Sequence, residues 1–260
     1  MTADLPGFGL ERFSLAGRRA IVTGGNSGLG RPLSIALAAA GADVLVAALD
    51  EDDGTTRRLV EAHGRRMVFM EADIARPGTP QQVVGRCVEE LGSVDILVNC
   101  AGICLRADVA DFGRDEWDQM VAVNLTAAFD LAHEASRCMV AQRSGKIINI
   151  ASLFAFLGGR GSPAYAATKA GIVGLTRAYC DELAVHNIQV NAIAPGYFVT
   201  AITEAMRADP DVDRRVVDHI PAGRWGELSD LMGAVVFLAS PAADYVNGHV
   251  LTVDGGYLVR

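Results

Sequence analysis

The chain has 260 residues, 50% of them hydrophobic and 21% charged, with a formal net charge of −8 at pH 7. That length and composition suit one well-buried α/β domain, and an acidic balance without a basic stripe excludes nucleic acid as the main partner. No run reaches the roughly 18 uninterrupted apolar residues of a membrane helix, which excludes a membrane partner of that kind.

At the N-terminus, MTADLPGFGLERFSLAGRR has no charged region followed by an apolar stretch, so no secretory leader is expected. Short β-branched runs then alternate with helical patterns. Strands are expected at 19–23, 43–48, 66–71, 94–99, 146–151, 188–193 and 249–254. Helices are expected near 28–40, 54–63, 79–91, 115–142, 162–186 and 228–239. Several strands are apolar on both faces, the pattern of parallel strands covered by helices. The β-α-β alternation implies a doubly wound parallel sheet with right-handed crossovers in a single domain, 1–260. From Pro195 to about Pro221 no strand pattern occurs. A substrate lid at about 196–221 is expected there, because an insertion past a strand's carboxyl end lies over the ligand crevice. A passive surface insertion is the alternative.

TGGNSGLG (23–30) joins the first strand to the first long helix. Gly24, Gly28 and Gly30 allow a tight turn and close approach of backbone to a pyrophosphate at the positive helix N-terminus. The second strand ends in ALDEDDG, with Asp50, Glu51, Asp52, Asp53 and no basic residue. An acid there hydrogen-bonds an adenosine ribose and repels a 2′-phosphate, so NAD is expected over NADP, with Asp50 nearest the strand end. The same acids also suit the first turn of the next helix through its dipole. Asp73 follows the third strand, where it can accept from an adenine amino group. NCAG (99–102) follows the fourth strand and offers backbone near the adenosine half.

Ser152 follows the fifth strand, and Tyr165 and Lys169 stand four residues apart in SPAYAATKAG. Positions i and i+4 share a helix face, so the ammonium reaches the phenol and favours its ionised form. A tyrosine held down in this way can move protons near neutral pH. The five cysteines (87, 100, 104, 138 and 180) are scattered and contain no C-x-x-C, the usage of reduced cytoplasmic thiols. No metal site is expected, since His133-Glu134 is followed by Arg137 where a second histidine would stand.

TGGNSGLG, NCAG, Asn124 in VAVNL, Ser152, Tyr165-x-x-x-Lys169 and Pro195-Gly196 stand in that order. Together they resemble the short-chain dehydrogenase/reductase family over the chain from about residue 13. The resemblance implies a Rossmann-type sheet of seven strands in order 3-2-1-4-5-6-7 with helices on both faces, and a homodimer or homotetramer. It implies cofactor contacts from Gly24, Asn26, Ser27, Gly28, Leu29, Gly30, Asp73, Ile74, Asn99, Ala101, Gly102, Tyr165, Lys169, Pro195, Gly196, Phe198 and Thr200. It also implies that Ser152 binds the substrate oxygen, Tyr165 exchanges its proton, Lys169 lowers the Tyr165 pKa and holds the nicotinamide ribose, and Asn124 fixes a water in a proton relay.

HNIQVNAIAPGY, IPAGRWGELSDLMG and DYVNGHVLTVDGGYLVR resemble the family's sugar-acid dehydrogenases. A carboxylate substrate needs a cation, and Arg106 and Arg160 are candidates on crevice-end loops, with surface exposure as the plain alternative. Phe154 and Tyr197 are expected to shape the pocket or pack the lid. A 3-oxoacyl carrier-protein reductase is the second enzyme reading, disfavoured by the acidic charge. A nucleotide-sensing scaffold is the reading without turnover.

Overall fold

A computed structural model describes residues 9–260; the first eight residues, and the leader expectation that falls on them, lie outside it. The seven strands are β1 (Arg19–Thr23), β2 (Asp43–Ala48), β3 (Met67–Glu71), β4 (Ile96–Asn99), β5 (Gly145–Ile150), β6 (Ile188–Pro195) and β7 (Val250–Val253). They form one parallel sheet in order β3-β2-β1-β4-β5-β6-β7. Ile21 of β1 stands beside Leu45 of β2 and Leu97 of β4. Because neighbouring residues point to opposite faces, Val22, Val46 and Val98 fill one core and Ile21, Leu45 and Leu97 the other.

Helices α1 (Gly30–Ala39), α2 (Thr55–Glu61), α3 (Thr79–Leu91), α4 (Arg114–Val121), α5 (Ala127–Gln142) and α6 (Pro163–Leu183) follow β1 to β5. Leu33 and Leu37 of α1 pack on the first core, with Val235 and Leu238 of a later helix. Val83 of α3 and Leu131 and Met139 of α5 pack on the second. Such burial contributes on the order of 1.5–3 kcal/mol per large aliphatic side chain. After β6 come α7 (Glu204–Ala208) and α8 (Pro210–His219), then α9 (Met232–Ala239) before β7.

Three boundaries differ from the sequence pattern for identifiable reasons. The helix expected over 115–142 is interrupted at Ala122–Thr126 by a wider π-helical turn, in which the Ala127 N–H bonds to the Ala122 carbonyl five residues back. Such an inserted residue re-aims side chains, and here it turns Asn124 toward Ile103. The last helix begins at Met232 rather than 228, because Leu228–Leu231 form a tight 3-10 turn closed by Asp230 accepting from the Glu227 N–H at 2.8 Å. Strand β6 runs on to Pro195, which pairs with Val253; the Gly196 N–H at 2.8 Å from the Val253 carbonyl supplies the donor that proline lacks.

Candidate active site

A cavity of about 360 Å³ opens where β1, β4, β5 and β6 end, within the size range of small-molecule sites. On the β1 side it is lined by Gly24, Ser27, Gly28, Leu29 and Gly30. Gly24 and Gly28 have φ of +64° and +47°, a region costly to side chains. A Cβ on Gly24 would stand 3.2 Å from the Ala101 Cα, and one on Gly30 would overlap the Gly24 carbonyl. The turn is therefore a bare backbone cradle opening the ten-residue α1, whose unpaired N–H groups and dipole favour an anion. Those features fit a dinucleotide's pyrophosphate.

Buried Thr23 accepts from the N–H groups of both Cys100 and Ala101 at 3.0 Å, tying the β4 loop to the β1 turn. Ala101 and Gly102 thereby join the cavity wall. Asn26 does not line the cavity. Its amide donates to the Asp50 and Glu51 carbonyls at 2.9 and 3.3 Å, and Arg31 Nε donates back to the Asn26 carbonyl at 2.9 Å. Asn26 is thus a brace between the glycine turn and the β2 loop.

Asn99 does not line the cavity either. It is buried in the sheet, donating to Asn149 Oδ1 at 2.9 Å and to the Ala128 carbonyl at 3.3 Å. Alternation along β4 turns its side chain into the core while the following backbone meets the cavity. Asp73 is exposed and outside the lining, with its carboxylate accepting from the Ala75 N–H at 3.0 Å; Ile74 is buried beside it. Asp50 is exposed and outside the lining. Asp53 is paired with Arg31 at 2.8 Å, and both carboxylate oxygens of Asp52 are buried without a hydrogen-bond partner.

Opposite the glycine turn, Ser152, Tyr165 and Lys169 converge on the cavity. Ser152 begins a short turn after β5, its hydroxyl accepting from the Phe154 N–H at 3.2 Å. Tyr165 lies in the first turn of α6, with the Phe154 ring edge-on at 5.9 Å. Lys169 follows one turn later, buried, its Nζ 5.5 Å from the Tyr165 ring centroid and 2.7 Å from the Ile150 carbonyl. An ammonium has three N–H donors, so others remain to face the cavity.

Burial dominates the electrostatics of this pair. Burial pushes the Tyr165 phenol up to about 12, with Cys104 adding to the rise and a hydrogen bond with Ser152 opposing it. Burial also pulls Lys169 down to about 8. Burial is the largest cause for both groups, because each charged form is penalised on leaving water.

Asn124 lies behind the cavity wall. Its Oδ1 accepts from the Ile103 N–H at 2.8 Å, and its amide donates to the Ile103 carbonyl at 2.9 Å and to Thr168 Oγ1 at 3.4 Å. Both amide hydrogens are therefore taken by protein, and Asn124 clips the β4 loop to the helices.

Arg106 and Arg160 part company. Arg106 lines the cavity and its charge acts on both Tyr165 and Tyr197. Its Nη1 lies 3.8 Å from Met206 Sδ, and no acid pairs with it among the described residues. Arg160 is exposed and does not line the cavity, because Gly161 (φ +74°) turns the chain between it and α6.

Pro195, Gly196, Tyr197, Phe198 and Thr200 lead from β6 along the wall into the expected lid. Ala201, Ile202, Thr203 and Met206 continue over the cavity. Thr203 Oγ1 donates to the Phe198 carbonyl at 2.7 Å and accepts from the Thr200 N–H at 3.1 Å. The far half packs on the body: Trp225 donates to Asp213 at 2.7 Å and meets Tyr197 edge-on at 5.6 Å, and Tyr197 meets Tyr257 at 5.1 Å. The sequence reading missed Thr23, Ile103, Cys104, Ile202, Thr203 and Met206. Only Thr23, ending a strand before two glycines, carried a local signal.

A family model described as enoyl-(acyl carrier protein) reductase matches residues 24–258. The uncharacterized oxidoreductase YgcW of Escherichia coli (strain K12) is 57% identical over 99% of this chain and 98% of its own. The 2-dehydro-3-deoxy-D-gluconate 5-dehydrogenase of the same strain is 45% identical over 96% of this chain and 99% of its own. A gluconate 5-dehydrogenase from Burkholderia cenocepacia J2315, solved in complex with NADP and tartrate, superposes with a TM-score of 0.92. It is 38% identical, with 96% of this chain and 99% of that one covered.

Proposed function

The chain belongs to the short-chain dehydrogenase/reductase family, and from that premise we propose that it interconverts a secondary alcohol and a ketone on a small sugar acid. The reading is of the 2-dehydro-3-deoxy-D-gluconate 5-dehydrogenase or 2-deoxy-D-gluconate 3-dehydrogenase type, with gluconate 5-dehydrogenase as its near alternative. The observation that carries it is one cavity holding Ser152, Tyr165 and Lys169 together with Arg106, a cation without an acidic partner among the described residues.

A nicotinamide dinucleotide laid along the glycine turn would supply the hydride acceptor or donor. Gly24, Gly28 and Gly30 hold its pyrophosphate, and Lys169 reaches toward the nicotinamide ribose. Ser152 donates to the substrate oxygen, and Tyr165 removes its proton in oxidation or returns it in reduction. These donors are fixed before the oxygen gains charge, which is what makes such stabilisation effective. Asn124 works by positioning, through the Ile103 loop. Arg106 takes the carboxylate, in the paired geometry a guanidinium offers. Residues 200–208 close over the substrate.

For the cofactor, the acidic run Asp50–Asp53 supports NAD, since Arg31, the cation paired with that run among the described residues, is engaged by Asp53. The NADP-bound relative counts the other way. So do two further similar structures containing NADP, 44% and 43% identical, with TM-scores of 0.87 and 0.92 over 96% of this chain. NADP is therefore the second reading. No described helix is long and apolar enough to cross a membrane. The reading places the enzyme in the cytoplasm as a homodimer or homotetramer.

The test is turnover of 2-dehydro-3-deoxy-D-gluconate, D-gluconate, 5-keto-D-gluconate and a 3-oxoacyl thioester, each with both cofactors. Sugar-acid turnover with NAD or NADH preferred is expected. Thioester turnover alone would replace the substrate reading, and preference for NADPH would replace the cofactor reading. No turnover with any pair would favour a nucleotide-binding scaffold.

A further inference from the structure

We infer that Ser162 is a specificity-positioning residue: it fixes Arg106 relative to Tyr165, and so sets how far from the carboxylate the oxidised carbon must lie. Ser162 occupies the N-cap position of α6, where a serine normally turns its oxygen onto the helix's own N–H groups. Here it makes no such bond. Its buried hydroxyl instead donates to the Leu105 carbonyl at 2.7 Å, and Cys104 Sγ stands 3.8 Å from the Ser162 Oγ as donor to it. One residue earlier, the Gly161 carbonyl accepts from the Ala107 N–H at 3.0 Å.

Leu105 and Ala107 flank Arg106 on both sides, while Gly161 and Ser162 lead directly into the turn that carries Tyr165. Two hydrogen bonds therefore link the backbone under the carboxylate-binding cation to the backbone under the proton-transferring phenol. Other loop contacts, from Ile103 to Asn124 and from the Leu105 N–H to Met120 Sδ at 3.5 Å, hold the loop to α4 and the π-helical turn, and Arg106 meets Met206 Sδ at 3.8 Å. Among the described residues, the loop's hydrogen bonds to the segment entering α6 are those at Ser162 and Gly161. A loop fixed there offers a sugar acid two anchor points at a set separation, and displacement by about 1 Å is enough to impair a reaction geometry.

This inference rests on the carboxylate role given to Arg106 above, and the experiment separates the two. Wild type, Ser162→Ala, Arg106→Ala and the double variant are assayed on whichever of 2-dehydro-3-deoxy-D-gluconate and D-gluconate wild type turns over faster, and on its uncharged amide. Melting temperature and cofactor Kd are measured alongside to confirm folding. Ser162→Ala should raise KM for the acid about five- to tenfold, the scale of one lost hydrogen bond, with KM for the amide changed less than twofold. It should add nothing in the Arg106→Ala background, and Ser162→Thr, which keeps the hydroxyl, should recover most of the loss. Equal losses on acid and amide, or a full additional loss in the double variant, would overturn the Ser162 role while leaving that of Arg106. If Arg106→Ala affected acid and amide alike, the carboxylate reading itself would fall, and this inference with it.

Discussion

Replacing Lys169 with methionine should stabilise the protein at neutral pH while removing a group from its site. Lys169 is only 4% exposed, and burial lowers its pKa from 10.5 to about 8. At about 1.4 kcal/mol per pH unit, keeping that ammonium charged inside the fold costs about 3 kcal/mol. Methionine removes the cost but forfeits the 2.7 Å bond to the Ile150 carbonyl, a loss of about 1 kcal/mol. The net gain at pH 7 is then about 2 kcal/mol. Its pH dependence follows from linkage. Below about pH 8 the amine is protonated in both folded and unfolded chains, and the penalty is complete. Between about 8 and 10.5 the unfolded chain binds more protons than the folded one, so wild-type stability rises with pH. Above 10.5 both are neutral, and only the lost hydrogen bond distinguishes the variant. Urea unfolding of both proteins without added nucleotide, at pH 7, 9 and 10.5, should show Lys169→Met ahead at pH 7 and slightly behind at 10.5. A variant that is less stable at every pH, or ahead by a constant margin, would refute the reasoning.

Thr23→Val keeps the shape but removes the acceptor shared by the Cys100 and Ala101 N–H groups. Two unpaired donors should cost roughly 2–4 kcal/mol, read as a lower urea midpoint with an unchanged m-value; a loss under 0.5 kcal/mol would mean that the loop finds other acceptors. Gly30→Ala puts a Cβ onto the Gly24 carbonyl, which must move the pyrophosphate cradle. Cofactor Kd should rise at least tenfold by fluorescence titration, and an unchanged Kd would place the cofactor elsewhere.

Whereas the order of the strands was implied by the family resemblance, the strands themselves and the placing of Tyr165 and Lys169 on one helix face were legible because they rest on periodicities of two and 3.6 residues. So was the glycine turn, whose residues have no other conformational use. What escaped was set by single side chains acting across the fold. Asn99 and Asn26 carry the right types for cofactor contact, yet strand alternation turns one side chain into the core, and the Asp50 and Glu51 carbonyls of the loop after β2 engage the other. Arg106 and Arg160 were indistinguishable in sequence, and a left-handed glycine between Arg160 and the helix separates them. The Tyr165–Lys169 spacing was readable, but its electrostatics were not, since desolvation depends on everything packed around the pair. Ser162 looked like an ordinary helix cap until its hydroxyl was traced to Leu105.

Tyr165→Phe tests the central claim most directly, because it deletes one oxygen and leaves the ring against Phe154. Turnover of the best sugar acid and cofactor Kd are measured for the variant beside wild type. The account predicts a loss of about a thousandfold or more in kcat, within the range for removing an acid–base group, with Kd unchanged within about twofold. Turnover that survives the substitution would contradict proton transfer by Tyr165.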